Sequence, residues 1–287
     1  MSGIITSVIL LGGLCAIGAV LLYLVAKKFR VDEDPRISAV AEALPGANCG
    51  GCGNKGCRDF AAACVKGCGS LDGKYCPVGG KAVMERVATI LGIAATTDVK
   101  AQVATLLCNG ACSARRDITD YDGPQSCAIM AMVGSGTRSC AYGCLGCGDC
   151  VNVCQFGAMT LDHVSGLPKI DAARCTGCGA CAKICPRHLI ELRRPAGKSD
   201  RHVWVACSNR DKGAEARRAC AAACIGCGKC SRNCPAQAIT ITANVAYIDP
   251  RLCTACGTCA ELCPTGAILS DIPTPHTAPT PASHHEA

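Results

Sequence analysis

The hydrophobic residues of this 287-residue chain begin with one long uninterrupted run. No charged side chain occurs from Ile4 to Ala26, and Lys27, Lys28 and Arg30 follow closely. A run of this length crosses the hydrocarbon layer of a bilayer as a helix. A cleavable signal peptide would carry its positive charges before a shorter apolar run, so the order predicts an uncleaved anchor. The positive-inside rule then places the rest of the chain in the cytoplasm. The alternative is a buried helix of a soluble protein.

Three shorter segments have hydrophobic residues at helical spacing. Asp34 followed by Pro35 is typical of an N-cap and a first turn, and predicts a helix up to Ala43. The same spacing recurs in residues 55–66 and 79–91, which predicts two further helices.

Alternating hydrophobic and polar residues predict strands later in the chain. Residues 158–161 and 238–241 alternate in this way, and Ile170-Asp171 and Ile248-Asp249 follow at matching distances. These stretches are predicted to form the short strands of hairpins.

The composition excludes an ordinary hydrophobic core. The chain has 29 cysteines but only 3 Phe, 5 Tyr and 1 Trp, so few large side chains are available to fill an interior. Disulfides, zinc and iron–sulfur clusters are the candidates, and a reducing cytoplasm disfavours disulfides. The formal charge of +7 counts every thiol as neutral. Dispersed Lys and Arg residues without aromatic platforms argue against a nucleic-acid partner.

Four cysteine runs share the spacing C-x2-C-x2-C-x3-C, which is typical of two-cluster ferredoxins. Three cysteines of such a run bind one four-iron cluster, and the fourth reaches the neighbouring cluster. Zinc usually prefers two separated pairs. The predicted ligand sets are Cys144, Cys147, Cys150 with Cys185; Cys154 with Cys175, Cys178, Cys181; Cys224, Cys227, Cys230 with Cys263; and Cys234 with Cys253, Cys256, Cys259.

A fifth cluster is predicted on the glycine-rich loop PGANCGGCGNKGC. Its glycines let the backbone wrap closely and direct amides at sulfur. For the fourth ligand we favour Cys76, because a loop cysteine turns toward a cluster more freely than Cys64 or Cys68, which share a helix face. The predicted ligands are Cys49, Cys52, Cys57 and Cys76.

An internal repeat isolates the remaining cysteines. Cys127, Cys140, Cys144, Cys147, Cys150 and Cys154 recur 80 residues later as Cys207, Cys220, Cys224, Cys227, Cys230 and Cys234. Only the first copy is preceded by Cys108 and Cys112. The hypothesis is that Cys108, Cys112, Cys127 and Cys140 bind a sixth cluster, while Cys207 and Cys220 bind none. Buried or spare thiols are the alternative.

The predicted fold class is small α+β modules behind one N-terminal transmembrane helix: a helical four-iron cluster domain, then two tandem bacterial-type two-cluster ferredoxin-like domains. The expected parts are an anchor (1–27), a charged linker (28–37), the N-terminal 4Fe-4S domain (38–95), a first ferredoxin-like module with the extra Cys108/Cys112 cluster (96–200), a second module (201–272) and a disordered tail (273–287).

Together, the anchor, the motif CGGCGNKGC with a downstream Cys-Pro, and the ferredoxin modules resemble the B subunits of Rnf complexes, the ion-translocating ferredoxin:NAD oxidoreductases. The resemblance covers roughly residues 1–272, and the length is similar to that of the longer form found in anaerobic bacteria. It implies an electron-transfer subunit in the bacterial cytoplasmic membrane that takes electrons from reduced soluble ferredoxin. About six 4Fe-4S clusters would relay the electrons to partner subunits that carry flavin, NAD and the ion path.

The residues also predict that the chain has no catalytic or nucleotide site of its own. Gly51, Gly53 and Gly56 spell the dinucleotide fingerprint, but no strand precedes them. Two alternatives remain open. One is a membrane-tethered polyferredoxin of a hydrogenase or formate system, and the other is a cysteine-rich metal-storage or zinc-scaffold protein.

Overall fold

The structure is a computed structural model that describes residues 2–28, 33–67, 69–94, 101–134, 136–197 and 199–271. The tail predicted to be disordered, residues 29–32 of the predicted charged linker and Cys68 lie outside the described residues.

The N-terminal helix α1 extends from Ser2 to Lys28. Its segment Gly3–Val25 is long and apolar enough to cross a membrane, with a mean hydropathy of 2.7. None of this segment is buried against the rest of the described chain, whereas the core helix of a soluble protein would be mostly covered.

A three-helix domain follows, formed by α2 (Pro35–Ala43), α3 (Cys57–Lys66) and α4 (Gly80–Leu91). The predicted cap of α2 is confirmed, since the Asp34 carboxylate accepts a hydrogen bond of 2.9 Å from the Arg36 amide. Phe60, Val40 and Val87 are almost fully buried at the centre of the domain. This core fixes the two ends of the glycine-rich loop, which lies between α2 and α3.

The first ferredoxin-like module consists of β1 (Val103–Leu106), α5 (Cys127–Val133), α6 (Asp149–Asn152), β2 (Met159–Asp162), β3 (Leu167–Ile170), α7 (Ala180–Ile184) and β4 (Ile190–Arg193). The predicted hairpin is present, because β2 and β3 pair antiparallel with Met159 opposite Ile170. A second antiparallel pair, β1 with β4, places Val103 opposite Arg193. This second pair was not predicted from the sequence.

The second module repeats the same plan with β5 (Val203–Val205), α8 (Gly213–Ala219), α9 (Lys229–Arg232), β6 (Ile239–Thr242), β7 (Val245–Ile248), α10 (Thr258–Glu261) and β8 (Ile268–Ser270). The hairpin β6–β7 was predicted, whereas the pair β5–β8 was not.

Backbone hydrogen bonds show that the 80-residue repeat pairs the wrong cysteines at the start of the two ferredoxin-like modules. The Leu107 amide donates to the Leu189 carbonyl at 2.7 Å, and the Ala206 amide donates to the Ala267 carbonyl at 2.7 Å. Leu189 lies four residues after Cys185, and Ala267 lies four residues after Cys263, the corresponding cysteine of the second module. The residues that follow Leu107 and Ala206 therefore correspond as well. The structural counterpart of Cys207 is therefore Cys108, and the pairing of Cys207 with Cys127 by number is wrong. A constant 80-residue repeat cannot align Cys108 with Cys207, because the two copies differ in length here. Cys108 and Cys140 are 32 positions apart (140 − 108), whereas Cys207 and Cys220 are 13 apart (220 − 207).

The glycine-rich loop packs against the first module. A Cβ atom on Gly51 would lie 2.7 Å from the Cys178 carbonyl oxygen and 2.9 Å from its Cα atom. Next to this contact, Lys183 donates from Nζ to the Gly50 carbonyl at 3.0 Å. Only glycine allows the two backbones to approach this closely.

This contact generates a prediction for Gly51→Ala. The added methyl group meets backbone atoms that cannot turn away, and overpacking of this kind costs about 1–3 kcal/mol. Amide hydrogen exchange in residues 49–57 and 176–179 is expected to become faster in the variant. Gly134→Ala is the matched control, because nothing lies within 4 Å of its Cβ position. Equal exchange in both variants would contradict the close docking.

Candidate iron–sulfur centres

The predicted N-terminal ligands lie around one cavity, here called site 1. Its lining includes Cys49, Cys52, Cys57 and Cys76. The Cys57 amide donates to Asn48 Oδ1 at 2.8 Å, which fixes the loop to the start of α3, and the Gly79 amide donates to Cys76 Sγ at 3.4 Å.

The competitor Cys64 is 2% exposed on α3, in the same core cluster as Cys76, but it is not among the residues that line site 1. The other competitor, Cys68, lies outside the described residues.

In the first module, Cys144, Cys150 and Cys185 line a second cavity. Together with Cys147 they form the predicted set here called site 3. The Leu189 amide donates to Cys185 Sγ at 3.4 Å. Cys127 also lines this cavity, next to Cys147.

The other predicted set of this module, site 2, comprises Cys154, Cys175, Cys178 and Cys181. Cys175 and Cys178 lie close enough to Cys181 to raise the pKa of its thiol, although burial is the larger cause. The Ala104 amide at the start of the module donates to Cys175 Sγ at 3.5 Å. Cys154 packs against the same core as Cys175.

The second module brings together its predicted sets in the same way. Site 4 is a cavity lined by Cys224, Cys227, Cys230 and Cys263. Site 5 comprises Cys234, Cys253, Cys256 and Cys259, which are mutual neighbours. Backbone amides again point at sulfur, from Ala238 to Cys234 and from Ala255 to Cys253, each at 3.4 Å.

The hypothetical sixth set of cysteines is not brought together. Cys127 faces site 3, while Cys112 is exposed and accepts a hydrogen bond of 3.0 Å from Arg138 Nη1. Cys108 and Cys140 are buried and lie instead beside the second module. Cys112 and Cys127 both belong to the longer segment between Cys108 and Cys140 of the first copy.

The chemistry of these thiols fits iron–sulfur clusters. Burial, with a smaller contribution from neighbouring thiols, raises the pKa of Cys144, Cys150 and Cys259 to about 12. A buried thiol becomes a thiolate only beside positive charge, which a cluster core supplies. The amides directed at sulfur stabilise the resulting negative charge. Cys256 differs, because hydrogen bonds from Thr258 lower its pKa.

Among the described residues, no three side chains of His, Cys, Asp or Glu meet closely enough to hold a single metal ion. The cysteines of sites 1 and 4, and three of the four cysteines of site 3, are spaced around cavities.

Comparison with protein families gives matches at the same places. Residues 143–189 and 223–267 match the 4Fe-4S dicluster domain, and residues 171–238 match a second family of that description. Residues 44–77, which contain site 1, match the family described as putative Fe-S cluster. The chain thus contains 4Fe-4S cluster domains in both modules.

Individual relatives extend the match to most of the chain. The B subunit of the Na(+)-translocating ferredoxin:NAD(+) oxidoreductase complex of Acetobacterium woodii is 41% identical, over 87% of this chain and 72% of the relative. The B subunit of the ion-translocating oxidoreductase complex of Methanosarcina acetivorans is 39% identical, over 86% and 91%. The B subunit of the proton-translocating ferredoxin:NAD(+) oxidoreductase complex of Clostridium ljungdahlii is 42% identical, over 81% and 79%.

These relatives are subunits of multi-subunit complexes, and this chain has a helix long and apolar enough to cross a membrane together with matches to iron–sulfur domains. The chain belongs to the family of B subunits of the Rnf-type ion-translocating oxidoreductase complexes.

Proposed function

We propose that this chain is the iron–sulfur electron-transfer subunit of a membrane-bound, ion-translocating ferredoxin:NAD oxidoreductase. It takes electrons from reduced soluble ferredoxin and relays them through 4Fe-4S clusters to partner subunits. The cysteine sets named as sites 1 to 5 are the proposed ligands. The chain supplies no nucleotide or substrate site, and the clusters themselves carry out the electron chemistry.

The observation that carries this proposal is the succession of thiol groups. Gly51 in the loop of site 1 contacts Cys178 of site 2. Cys150 of site 3 and Cys181 of site 2 are buried in one core. In the second module, Cys230 of site 4 is a neighbour of Cys259 of site 5. The rate of electron transfer falls steeply with distance. Because the ligands of neighbouring sites lie close together, the arrangement favours a relay of electrons from one cluster to the next.

Exposure suggests the direction of the relay. Cys227 of site 4 and Cys256 of site 5 are exposed, so the second module brings clusters nearest to a soluble donor. Lys229, two residues after Cys227, is exposed and can attract an acidic partner. Site 1 is nearest in sequence to α1, the proposed single-pass anchor, so electrons would leave there toward the membrane subunits, with the cluster domains on the cytoplasmic side.

The names of the relatives favour this function over a polyferredoxin that serves a hydrogenase or formate system. A zinc scaffold is disfavoured by the ferredoxin spacing and by the matched 4Fe-4S domains.

The ligand assignment of site 1 predicts different outcomes for two cysteines of one domain. Cys76→Ala is expected to remove about four iron atoms per chain, because one ligand of a four-cysteine cluster is lost. Cys64→Ala is the control, since burial raises the pKa of this thiol to about 11 and it does not line the cavity, although it packs in the same core as Cys76. Iron and acid-labile sulfide are measured after anaerobic purification. Equal iron loss in both variants would contradict the assignment.

The function itself is tested in the detergent-purified complex by ferredoxin-dependent reduction of NAD. Removing this chain is expected to abolish the reaction, and persistence would refute the proposal.

Lys229→Glu is expected to raise the KM for ferredoxin about threefold to tenfold at low salt, with the difference shrinking at high salt. Lys81→Glu on α4 is the matched exposed control and should leave the KM unchanged. An equal effect of both substitutions would place the docking surface elsewhere.

A further inference from the structure

Four cysteines outside sites 1 to 5 meet at the junction of the two ferredoxin-like modules. Cys108 and Cys140 come from the first module, and Cys207 and Cys220 come from the second. Cys108, Cys140 and Cys220 are 8%, 6% and 6% exposed, and Cys207 is half-buried.

Hydrogen bonds on both sides of Cys108 hold it beside Cys207. The Asn109 amide donates to the Ala206 carbonyl at 2.8 Å. The Ser208 hydroxyl donates to the Leu107 carbonyl at 3.0 Å. Each bond joins an immediate neighbour of Cys108 to an immediate neighbour of Cys207, so the two cysteines lie side by side.

Cys140 and Cys220 are held together in a corresponding way. The Ser139 hydroxyl donates to the Ala219 carbonyl at 2.7 Å, next to both cysteines. Cys140 and Cys220 share one small buried cluster with Ala216, and Cys207 packs against it.

Two further contacts bring these pairs to a single place. Asn209, two residues after Cys207 and 1% exposed, donates from Nδ2 to Cys140 Sγ at 3.6 Å. A Cβ atom on Gly110, two residues after Cys108, would lie 3.2 Å from Cys220 Sγ. Both Cys108 and Cys140 lie close enough to Cys220 to raise the pKa of its thiol, after the larger effect of burial. All four sulfurs therefore surround one small region.

The arrangement is nearly two-fold symmetric. Cys108 accepts a hydrogen bond of 3.4 Å from the Cys144 amide, and Cys207 accepts one from the Cys224 amide. Cys144 and Cys224 are repeat partners, in sites 3 and 4. Each module therefore contributes an equivalent half of the site, and neither half has four ligands alone.

A buried cation without enough partners supplies an independent sign of a bound anion. Arg115 is 6% exposed, and only its Nη1 has a hydrogen bond in the described structure, to the Cys144 carbonyl at 2.8 Å. Its Nε and Nη2 atoms are buried without a partner. The Arg115 Nε lies 3.0 Å from the same Gly110 Cβ position that contacts Cys220. A buried, unpaired guanidinium is costly, and a cluster with four thiolate ligands is an anion that would offset the cost.

We propose that Cys108, Cys140, Cys207 and Cys220 bind one four-iron cluster at the module junction, with Arg115 beside it. The choice of an iron–sulfur cluster rests on the proposed function, whereas the grouping of the four thiols does not. Lying between Cys144 of site 3 and Cys224 of site 4, this cluster joins the two modules into one continuous relay. The set replaces the hypothetical Cys108, Cys112, Cys127 and Cys140.

Iron counting in paired variants tests the proposal. Cys108→Ser with Cys140→Ser, and separately Cys207→Ser with Cys220→Ser, are each expected to lose about four iron and four sulfide per chain. The quadruple variant is expected to lose the same amount, because both pairs serve one cluster. Cys112→Ser is the control and should keep all of its iron. No loss from the Cys207/Cys220 pair, an additive loss in the quadruple variant, or loss of zinc without iron would each overturn the proposal.

A second measurement needs no substitution and covers the case in which a variant fails to fold. Anomalous diffraction at the iron edge from the unsubstituted, anaerobically prepared protein should show iron between these four sulfurs, and an empty junction would overturn the proposal. Neither readout depends on activity. If iron is found here while the complex fails to reduce NAD with ferredoxin, the proposed function falls and the junction site stands.

Discussion

The fold depends on burying cysteine side chains around cavities that ordinary side chains do not fill. The four sheets of the described residues have only two strands each, of three or four residues, and an isolated two-stranded hairpin is at best marginally stable. Cysteines make up much of the core in both ferredoxin-like modules. With so few aromatic residues, these modules lack the apolar volume to fold on side-chain packing alone. Cluster binding free energy is then folding free energy, as expected for small metal-dependent domains.

The same constraint explains how the parts are connected. A cluster must be surrounded closely by protein. Glycines therefore occur where a loop lies close to the backbone of another segment, and the ligands of one cluster come from segments that are distant in sequence. Gly51 contacts the backbone at Cys178, so the N-terminal domain is docked on the first module. At the other end of that module, the junction cysteines lie beside the backbone of Cys144 and Cys224. In the proposed relay, the structural contacts between modules are therefore also the contacts between cofactor sites.

Structure could be predicted from the sequence where the determining interactions are local. Asp34 and Pro35 begin α2 as predicted, because a cap involves neighbouring residues. The alternation in 158–161 and 238–241 located hairpin strands whose partners follow within a few residues. Spacing likewise grouped the cysteines of sites 1 and 4 as the structure places them. In each case a short segment carries both the pattern and the interaction.

Contacts between distant segments could not be predicted in this way. Nothing within β1 indicates that Val103 lies opposite Arg193, some 90 positions later (193 − 103), because strand pairing at this distance depends on the whole module. Because the first copy has extra residues after Cys108, the 80-residue repeat pairs Cys207 with Cys127 instead of Cys108. The sequence therefore gives Cys207 and Cys220 no partners for a cluster. The available signal was the strand that ends just before each of Cys108 and Cys207, and it can be recognised only when the sheet partners are known.

Removal of iron tests the central claim most directly. The unsubstituted protein, stripped of iron anaerobically with a chelator, should lose hydrogen-exchange protection across both ferredoxin-like modules together, while α1 in detergent keeps its protection. Restoring iron and sulfide should restore the protection. If the iron-free chain keeps the protection of its strands and its compact size, the clusters do not hold the fold together and the account is contradicted.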